Sequence, residues 1–444
     1  MKSKPGANRG TGQALYERAK QLIPGGTQLL SKRPELFLPD QWPAYYARAK
    51  GIEVRDLDGR TYRDFTHCGV GTCILGFADE EVNAAVVQAI DRGSMATLNC
   101  PEEVELAELL LDCHPWADNV RYARSGGEAM AIAIRIARAA TARTRIAVCG
   151  YHGWSDWYIA ANLGDSAGLD GHMLPGLDPA GVPEALRGTT MAFPFDRLDA
   201  LEAMITQSGE YFAAIVMEPC RGDVPDADFL KAVRALAERC GAVLIFDEVT
   251  SGWRMNCGGV HLLTPVAPDI AVFAKGMSNG YAMAAVVGVR DVMEAAQGSF
   301  ISSTYWTERI GPAAAIATIG KLHREPVADH LIKTGERIKA GWRDAAQAAQ
   351  LPLSVRGIPP LADFGFEVPD ADAAMTLFTQ EMLARGFLAG PQVYATWCHG
   401  EADVGSYLDA VGEVFKHVSD AVAAGDPGRK LNGPIKHSGF KRLN

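Results

Sequence analysis

Lys275 ends the short apolar run Ile270-Ala271-Val272-Phe273-Ala274-Lys275, and Asp247 ends the run Ala242-Val243-Leu244-Ile245-Phe246-Asp247. Runs of this length and composition form parallel strands buried on both faces, and a charged residue at the end marks where the strand leaves the sheet. Open α/β sheets bind their ligands at that edge. An amine placed there can form a Schiff base with an aldehyde, and a neighbouring carboxylate can keep a pyridine nitrogen protonated. The pair therefore describes a site for pyridoxal 5′-phosphate, with Lys275 as the covalent amine and Asp247 as the partner of the ring nitrogen. Each residue alone has a plainer reading, a solvated strand end for the lysine and a loop or helix cap for the aspartate.

The elements that would complete such a site follow in workable order. Residues 121–125 and then Gly126-Gly127-Glu128-Ala129-Met130 read as a strand turning sharply into an alanine-rich helix that runs to about Ala140. The unsatisfied N–H groups of a helix start bind anions, and glycines let a phosphate approach the backbone, so Ser125, Gly126 and Gly127 are candidate phosphate contacts. Residues 145–149 form the next predicted strand, and Tyr151-His152-Gly153-Trp154 follows it, with Tyr151 placed to stack on a pyridine face. Glu218 ends the strand predicted over 212–217 and faces either the cofactor or solvent. Lys275 can act as a base only if its pKa falls below about 10.4, which burial and a cationic neighbourhood both favour.

At 444 residues, with 48% hydrophobic and 22% charged residues, the chain has the composition of a globular protein of two domains. Short apolar runs alternate with helical stretches from about Val120 to Val289, the pattern of an α/β fold with a mostly parallel central sheet wrapped by helices. Asp228 is the expected cap of the helix that Gly241 ends. Residues 66–310 are predicted to form the large cofactor-binding domain. Residues 1–65 and 311–444 are predicted to form a smaller α+β domain, with Asp58-Gly59 as a hairpin turn. Residues 163–188, rich in Gly, Asp and Pro, read as a long loop, either a lid or oligomer contact or an insertion without function. The basic tail from Arg429 onward reads as solvated or partner-covering.

The net charge of −10 argues against the phosphate-neutralising surface of a nucleic-acid binder. No apolar run reaches membrane-spanning length, and the first ten residues lack the apolar core of a secretory signal. Nine scattered cysteines without a C-x-x-C pair suit reduced thiols, so a cytoplasmic protein is expected. No metal site is expected, because the histidines and cysteines lack ligand spacing.

The set Ser125-Gly126-Gly127-Glu128-Ala129, Tyr151-His152-Gly153, Asp247-Glu248-Val249 with Gly252-Trp253-Arg254, and Lys275-Gly276 resembles the class III (ω-type) aminotransferases of pyridoxal phosphate fold type I. Within them it is most similar to the glutamate-1-semialdehyde aminomutase-like branch, over nearly the whole chain from Pro24-Gly25-Gly26 to about Asp403. The resemblance implies cofactor contacts from Ser125, Gly126, Gly127, Tyr151, His152, Glu218, Asp247, Val249 and Lys275. It also implies a homodimer with shared active sites, in which Ser303 or Thr304 reaches the partner's phosphate. Four departures stand out. Gly127 replaces a usual hydroxyl residue, Gly76-Phe77-Ala78-Asp79-Glu80 replaces Gly-His-Ala-His-Pro, Phe195-Asp196-Arg197 replaces Tyr-Asn-Asp, and the carboxylate-binding arginine of the aminomutases is matched only out of register by Lys32 and Arg33. Glutamate 1-semialdehyde is therefore not the expected substrate.

The expected activity is transfer of an amino group from an amino-acid donor to a small carbonyl-bearing acceptor, with an oxidised sugar or aminoglycoside precursor suggested by similar sequences. The alternative is an isomerase, either an epimerase at an amine-bearing carbon or a 1,2-aminomutase. Epimerisation needs a second acid or base opposite Lys275, for which Cys68, Cys73, His152 and Cys398 are candidates. A regulatory domain that only binds the cofactor is the non-enzymatic reading, and joint retention of Asp247 and Lys275 argues against it.

Overall fold

The computed structural model describes residues 10–439 apart from 165–167, 173–174, 210, 221 and 223–225. Two compact units emerge. The larger comprises Gly71–Ile74 and Asp79–His330, and the smaller takes the described residues up to Val70, Leu75–Ala78 and those from Leu331 onward.

Seven strands form the sheet of the larger unit: β1 (Asn119–Ala123), β2 (Arg145–Cys149), β3 (Thr190–Ala192), β4 (Phe212–Met217), β5 (Val243–Asp247), β6 (Ile270–Phe273) and β7 (Ala284–Gly288), in the order β1-β7-β6-β5-β4-β2-β3. Only β7 runs antiparallel to its neighbours. Every residue of β4 to β7 is buried, as the unbroken apolar runs predict. Alternate side chains enter two cores. Val216, Ile245 and Val272 pack with Ile132, Ala133 and Ile136 of the helix α2 (Gly126–Thr141) on one face. Met217, Leu244 and Phe246 pack with Phe229, Val233 and Leu236 of the helix α3 (Ala227–Cys240) on the other.

Local chemistry sets the helix ends. Asp226, not the expected Asp228, caps α3: its side chain accepts from the Asp228 N–H at 2.9 Å, and Gly241 ends the helix at φ +61°. The boundary expected after residue 310 falls early, because the helix Ile310–Arg324 belongs to the larger unit. The stretch 163–188 has a core role that neither reading of it foresaw. Leu169 is fully buried against the α2 face and His172 Nδ1 accepts the Gly150 N–H at 3.0 Å, although residues 165–167 and 173–174 of this stretch lie outside the described residues.

The smaller unit holds a four-stranded sheet whose strands Glu53–Asp56 and Thr61–Phe65 flank the Asp-Gly turn, with Phe387–Ala389 added in parallel. A three-stranded sheet lies in the same unit, and Phe65, Trp342, Phe364, Phe378, Tyr407 and Phe415 share its core. The tail is docked rather than solvated as far as it is described. Gln380 Nε2 donates to Lys430 O at 3.1 Å, and Lys436 N–H donates to Thr376 Oγ1 at 3.0 Å. Lys441 and Arg442 lie outside the described residues. Among the described residues no helix is long and apolar enough to cross a membrane.

Candidate active site

β5 and β6 are parallel neighbours with Asp247 opposite Val272, so Asp247 and Lys275 leave the same edge of the sheet one strand apart. Lys275 adopts φ +46°, a left-handed conformation that costs energy in any residue with a side chain and is retained where the surroundings over-determine it. Its Nζ donates to Thr250 Oγ1 at 2.7 Å. Burial lowers the Lys275 pKa, and the Arg254 guanidinium lowers it further, against the opposing pull of Asp247 and Glu218. Arg254 is itself buried, donating from Nε to Thr250 O at 2.7 Å and from Nη2 to Gly71 O at 2.5 Å. It thus fixes the backbone of the residue that receives the lysine.

Asp247 is held from two sides. Its Oδ1 accepts the Val249 N–H at 3.0 Å and its Oδ2 lies 2.8 Å from His152 Nδ1. A carboxylate offers about four acceptor positions, so capacity remains for a ring N–H. His152 is buried, with Nε2 3.2 Å from Cys149 O, which orients the imidazole against Asp247. Tyr151 is partly buried; burial raises its pKa, and the charges of Asp247 and Glu218 raise it further. Glu218 Oε2 accepts the Tyr151 N–H at 3.0 Å. That approach requires Gly150, because a Cβ there would meet Glu218 Oε2 at 2.6 Å and its φ is +117°. Glu218 therefore positions Tyr151 through its backbone.

At the start of α2, Ser125 and Glu128 form a reciprocal capping box. Glu128 Oε2 accepts the Ser125 N–H at 3.0 Å and its hydroxyl at 3.2 Å. The Ser125 hydroxyl is committed to Glu128 in this arrangement, and Gly126 and Gly127 form the first turn, whose N–H groups have no intrahelical partner and are available to an anion. The turn is closely enclosed. A Cβ on Gly126 would lie 2.9 Å from Val249 Cγ1, one on Gly153 would lie 3.3 Å from Gly127 Cα, and one on Gly127 would lie 3.6 Å from Trp154. The exits of β2 and β5 thus converge on the helix start. Anion donors, an apolar wall at Val249, a carboxylate at Asp247 and an amine at Lys275 are the donor set that a phosphorylated pyridine aldehyde requires, and the residues fit pyridoxal phosphate.

Ser303 and Thr304 are exposed in this chain, and the turn that holds them is anchored near the start of α2 by Trp306 Nε1 donating to Glu128 Oε1 at 3.3 Å. Lys32 and Arg33 belong to the smaller unit, where the Arg33 guanidinium covers the Gly25 turn. Thr250 was missed by sequence reasoning, and Arg254 was read only as part of a motif. Cys113, Cys257 and His323, far apart in sequence, bring their ligand atoms within 4.8 Å of one another.

The family model for class-III aminotransferases matches residues 39–396. A glutamate-1-semialdehyde 2,1-aminomutase of Desulfovibrio desulfuricans is 34% identical, with 90% of this chain and 98% of that protein covered. The 2′-deamino-2′-hydroxyneamine transaminase of Streptomyces kanamyceticus is 32% identical over 76% of this chain and 83% of its own length. The structure of the FumI protein of Sphingopyxis sp. MTA144, in its pyridoxal phosphate internal aldimine form, superposes with a TM-score of 0.84 at 26% identity, covering 95% of this chain and 100% of that one. With the site geometry these matches establish that the chain belongs to the class-III aminotransferase family, an α/β enzyme of fold type I whose cofactor is pyridoxal 5′-phosphate.

Proposed function

We propose that the enzyme moves an amino group from an amino-acid donor to a carbonyl carbon of an oxidised sugar or aminoglycoside precursor, with Lys275 as the proton-transferring base. The observation that carries the proposal is the placement of a lysine with a lowered pKa one strand away from a carboxylate braced by His152. When bound, the cofactor supplies an electron sink for the substrate carbon. The protein's residues do the rest. Asp247 holds the ring nitrogen protonated, Val249 and Tyr151 pack the ring, and the Gly126 and Gly127 N–H groups anchor the phosphate. Thr250 holds the Lys275 amine in register for proton transfer. The relative that acts on 2′-deamino-2′-hydroxyneamine supports the choice of acceptor class.

The aminomutase relatives keep isomerisation as the second reading. His152 is tied at both ring nitrogens, to Asp247 and Cys149 O, and so does not supply an opposite-face acid or base. That favours transfer. The enzyme is further proposed to act in the cytoplasm as a homodimer that shares its active sites. The deciding experiment mixes holoenzyme with single amino-acid donors in deuterated water and follows cofactor absorbance and products by mass spectrometry. Transfer gives a keto acid and a change in absorbance. Deuterium uptake with inversion, or a shifted amine with no keto acid, would replace the proposal with isomerisation.

A further inference from the structure

Away from the cofactor site, three chain segments meet at a cluster of soft ligands. Cys113 is the last residue of the helix Glu102–Cys113, which becomes α1 in this unit. His323 lies in the last turn of the helix Ile310–Arg324, α4, which packs along α1. Cys257 sits in the loop that follows β5. Cys113 Sγ is 3.4 Å from His323 Nε2, and the ligand atoms of all three residues lie within 4.8 Å of one another. A tetrahedral zinc ion, with bonds of about 2.0–2.3 Å, holds its ligands roughly 3.5 Å apart. Only small rotamer changes separate the cluster from that geometry.

The backbone beneath the ligands is fixed by other contacts. His114 Nε2 accepts the Gly259 N–H at 3.2 Å, which joins the end of α1 to the loop carrying Cys257. Within the loop, Gly258 O accepts the Trp253 N–H at 2.7 Å and Gly259 O accepts Asn256 Nδ2 at 3.0 Å. Cys113 and Cys257 are partly buried while His323 is exposed, so the ligands form a half-open cup with one position facing solvent. Two thiolates and an imidazole neutralise a divalent charge and select a thiophilic ion over magnesium or calcium.

We propose that Cys113, Cys257 and His323 bind one Zn²⁺ ion with an open fourth position, clamping the loop that carries Thr250 and Arg254 to α1 and α4. The site is structural with respect to catalysis, because its ligands are not among the residues that hold the cofactor.

The test uses chelator-treated holoenzyme kept under reductant and titrated with Zn²⁺ alone, with bound metal counted by elemental analysis after gel filtration. The expected result is one zinc per chain in the parent, none in Cys113→Ser or Cys257→Ser, and roughly tenfold or weaker binding in His323→Ala, since even indirect ligand support is worth that much. His323 is exposed, so His323→Ala is the variant expected to keep the parent's metal-free melting temperature and cofactor absorbance. Zinc should also protect two thiols from Ellman's reagent in the parent. No retained zinc, equal retention by the parent and His323→Ala, or isolation of Cys113 and Cys257 joined in a disulfide under these conditions would each overturn the site.

Discussion

Three buried histidines show how partners that can only give or only accept distribute protons around this site. Trp116 Nε1 donates to His261 Nε2 at 3.0 Å, so the proton sits on His261 Nδ1 and is offered to Glu248 Oε1 at 2.9 Å. Burial pushes the Glu248 carboxyl up, but hydrogen bonds from His261 and Ser251 outweigh it and hold the carboxyl below its usual range. His114 accepts from Gly259 and offers its other nitrogen to Leu110 O at 2.8 Å, and burial lowers its pKa to about 4. His152 differs, since both of its nitrogens face acceptors and the ring serves Asp247 as a donor. Asp247→Asn is therefore expected to reduce turnover about 10²–10⁴-fold, as for loss of a proton-handling group, with far-ultraviolet circular dichroism unchanged. Turnover within threefold of the parent would remove Asp247 from its assigned role.

The lowered pKa of Lys275 has a sign that can be measured. Only the neutral amine captures an aldehyde, so the rate at which apoenzyme takes up pyridoxal phosphate should rise with pH to a midpoint below the ordinary lysine value of 10.5. Glu218 raises that pKa, so Glu218→Gln should move the midpoint down, and an upward shift would contradict the assignment. Stability follows the same linkage. Below the folded-state pKa both states hold the proton and the cost of the buried charge is present in full. As pH climbs from there toward 10.5 the unfolded chain binds more protons and apoenzyme stability rises. Lys275→Met should flatten that rise in melting temperature.

At the scale of elements, the helix start and the exit of β5 behave as one unit. A Cβ at position 126 collides with Val249, so Gly126→Ala is expected to weaken cofactor binding about tenfold, or about 1.4 kcal/mol. Val249→Ala added to it should recover part of the loss, because residues in contact are not additive. Equilibrium dialysis of the cofactor checks this, and simple additivity of the two changes would refute the contact. This arrangement also marks how far the sequence was legible. The runs ending at Asp247 and Lys275 revealed the strands because burial on both faces leaves an unbroken apolar signature. Adjacency of β5 and β6 followed from the sheet class. Arg254 and Thr250 left no such trace, since an arginine after a strand reads as solvent-facing, and only the fold shows its guanidinium satisfied by Gly71 O with its Nε on Thr250 O. Asp226 and Asp228 are equally good caps by type, and backbone geometry alone chose between them. The packing of Leu169 and His172 was hidden for a similar reason, because Gly and Pro mark irregular backbone without indicating whether it is buried.

At the scale of the whole molecule, the larger unit leaves several large aromatic side chains exposed. Phe300 is 88% exposed, Trp154 79% and Tyr305 71%; Trp154 lies beside Gly127 at the start of α2, and Phe300 and Tyr305 bracket Ser303 and Thr304 along the chain. Exposed aromatics of this size are the kind of surface that a partner covers. If a second copy covers them and brings Ser303 or Thr304 to the neighbouring phosphate, assembly and cofactor retention are linked, because a ligand that needs the dimer stabilises the dimer by mass action. Tyr305→Asp should then shift the holoenzyme toward monomers in sedimentation velocity and raise the cofactor dissociation constant in parallel. Thr304→Ala should weaken cofactor binding while leaving the sedimentation coefficient at the dimer value. A Tyr305→Asp monomer that keeps its cofactor as tightly as the parent would place the complete binding site within one chain.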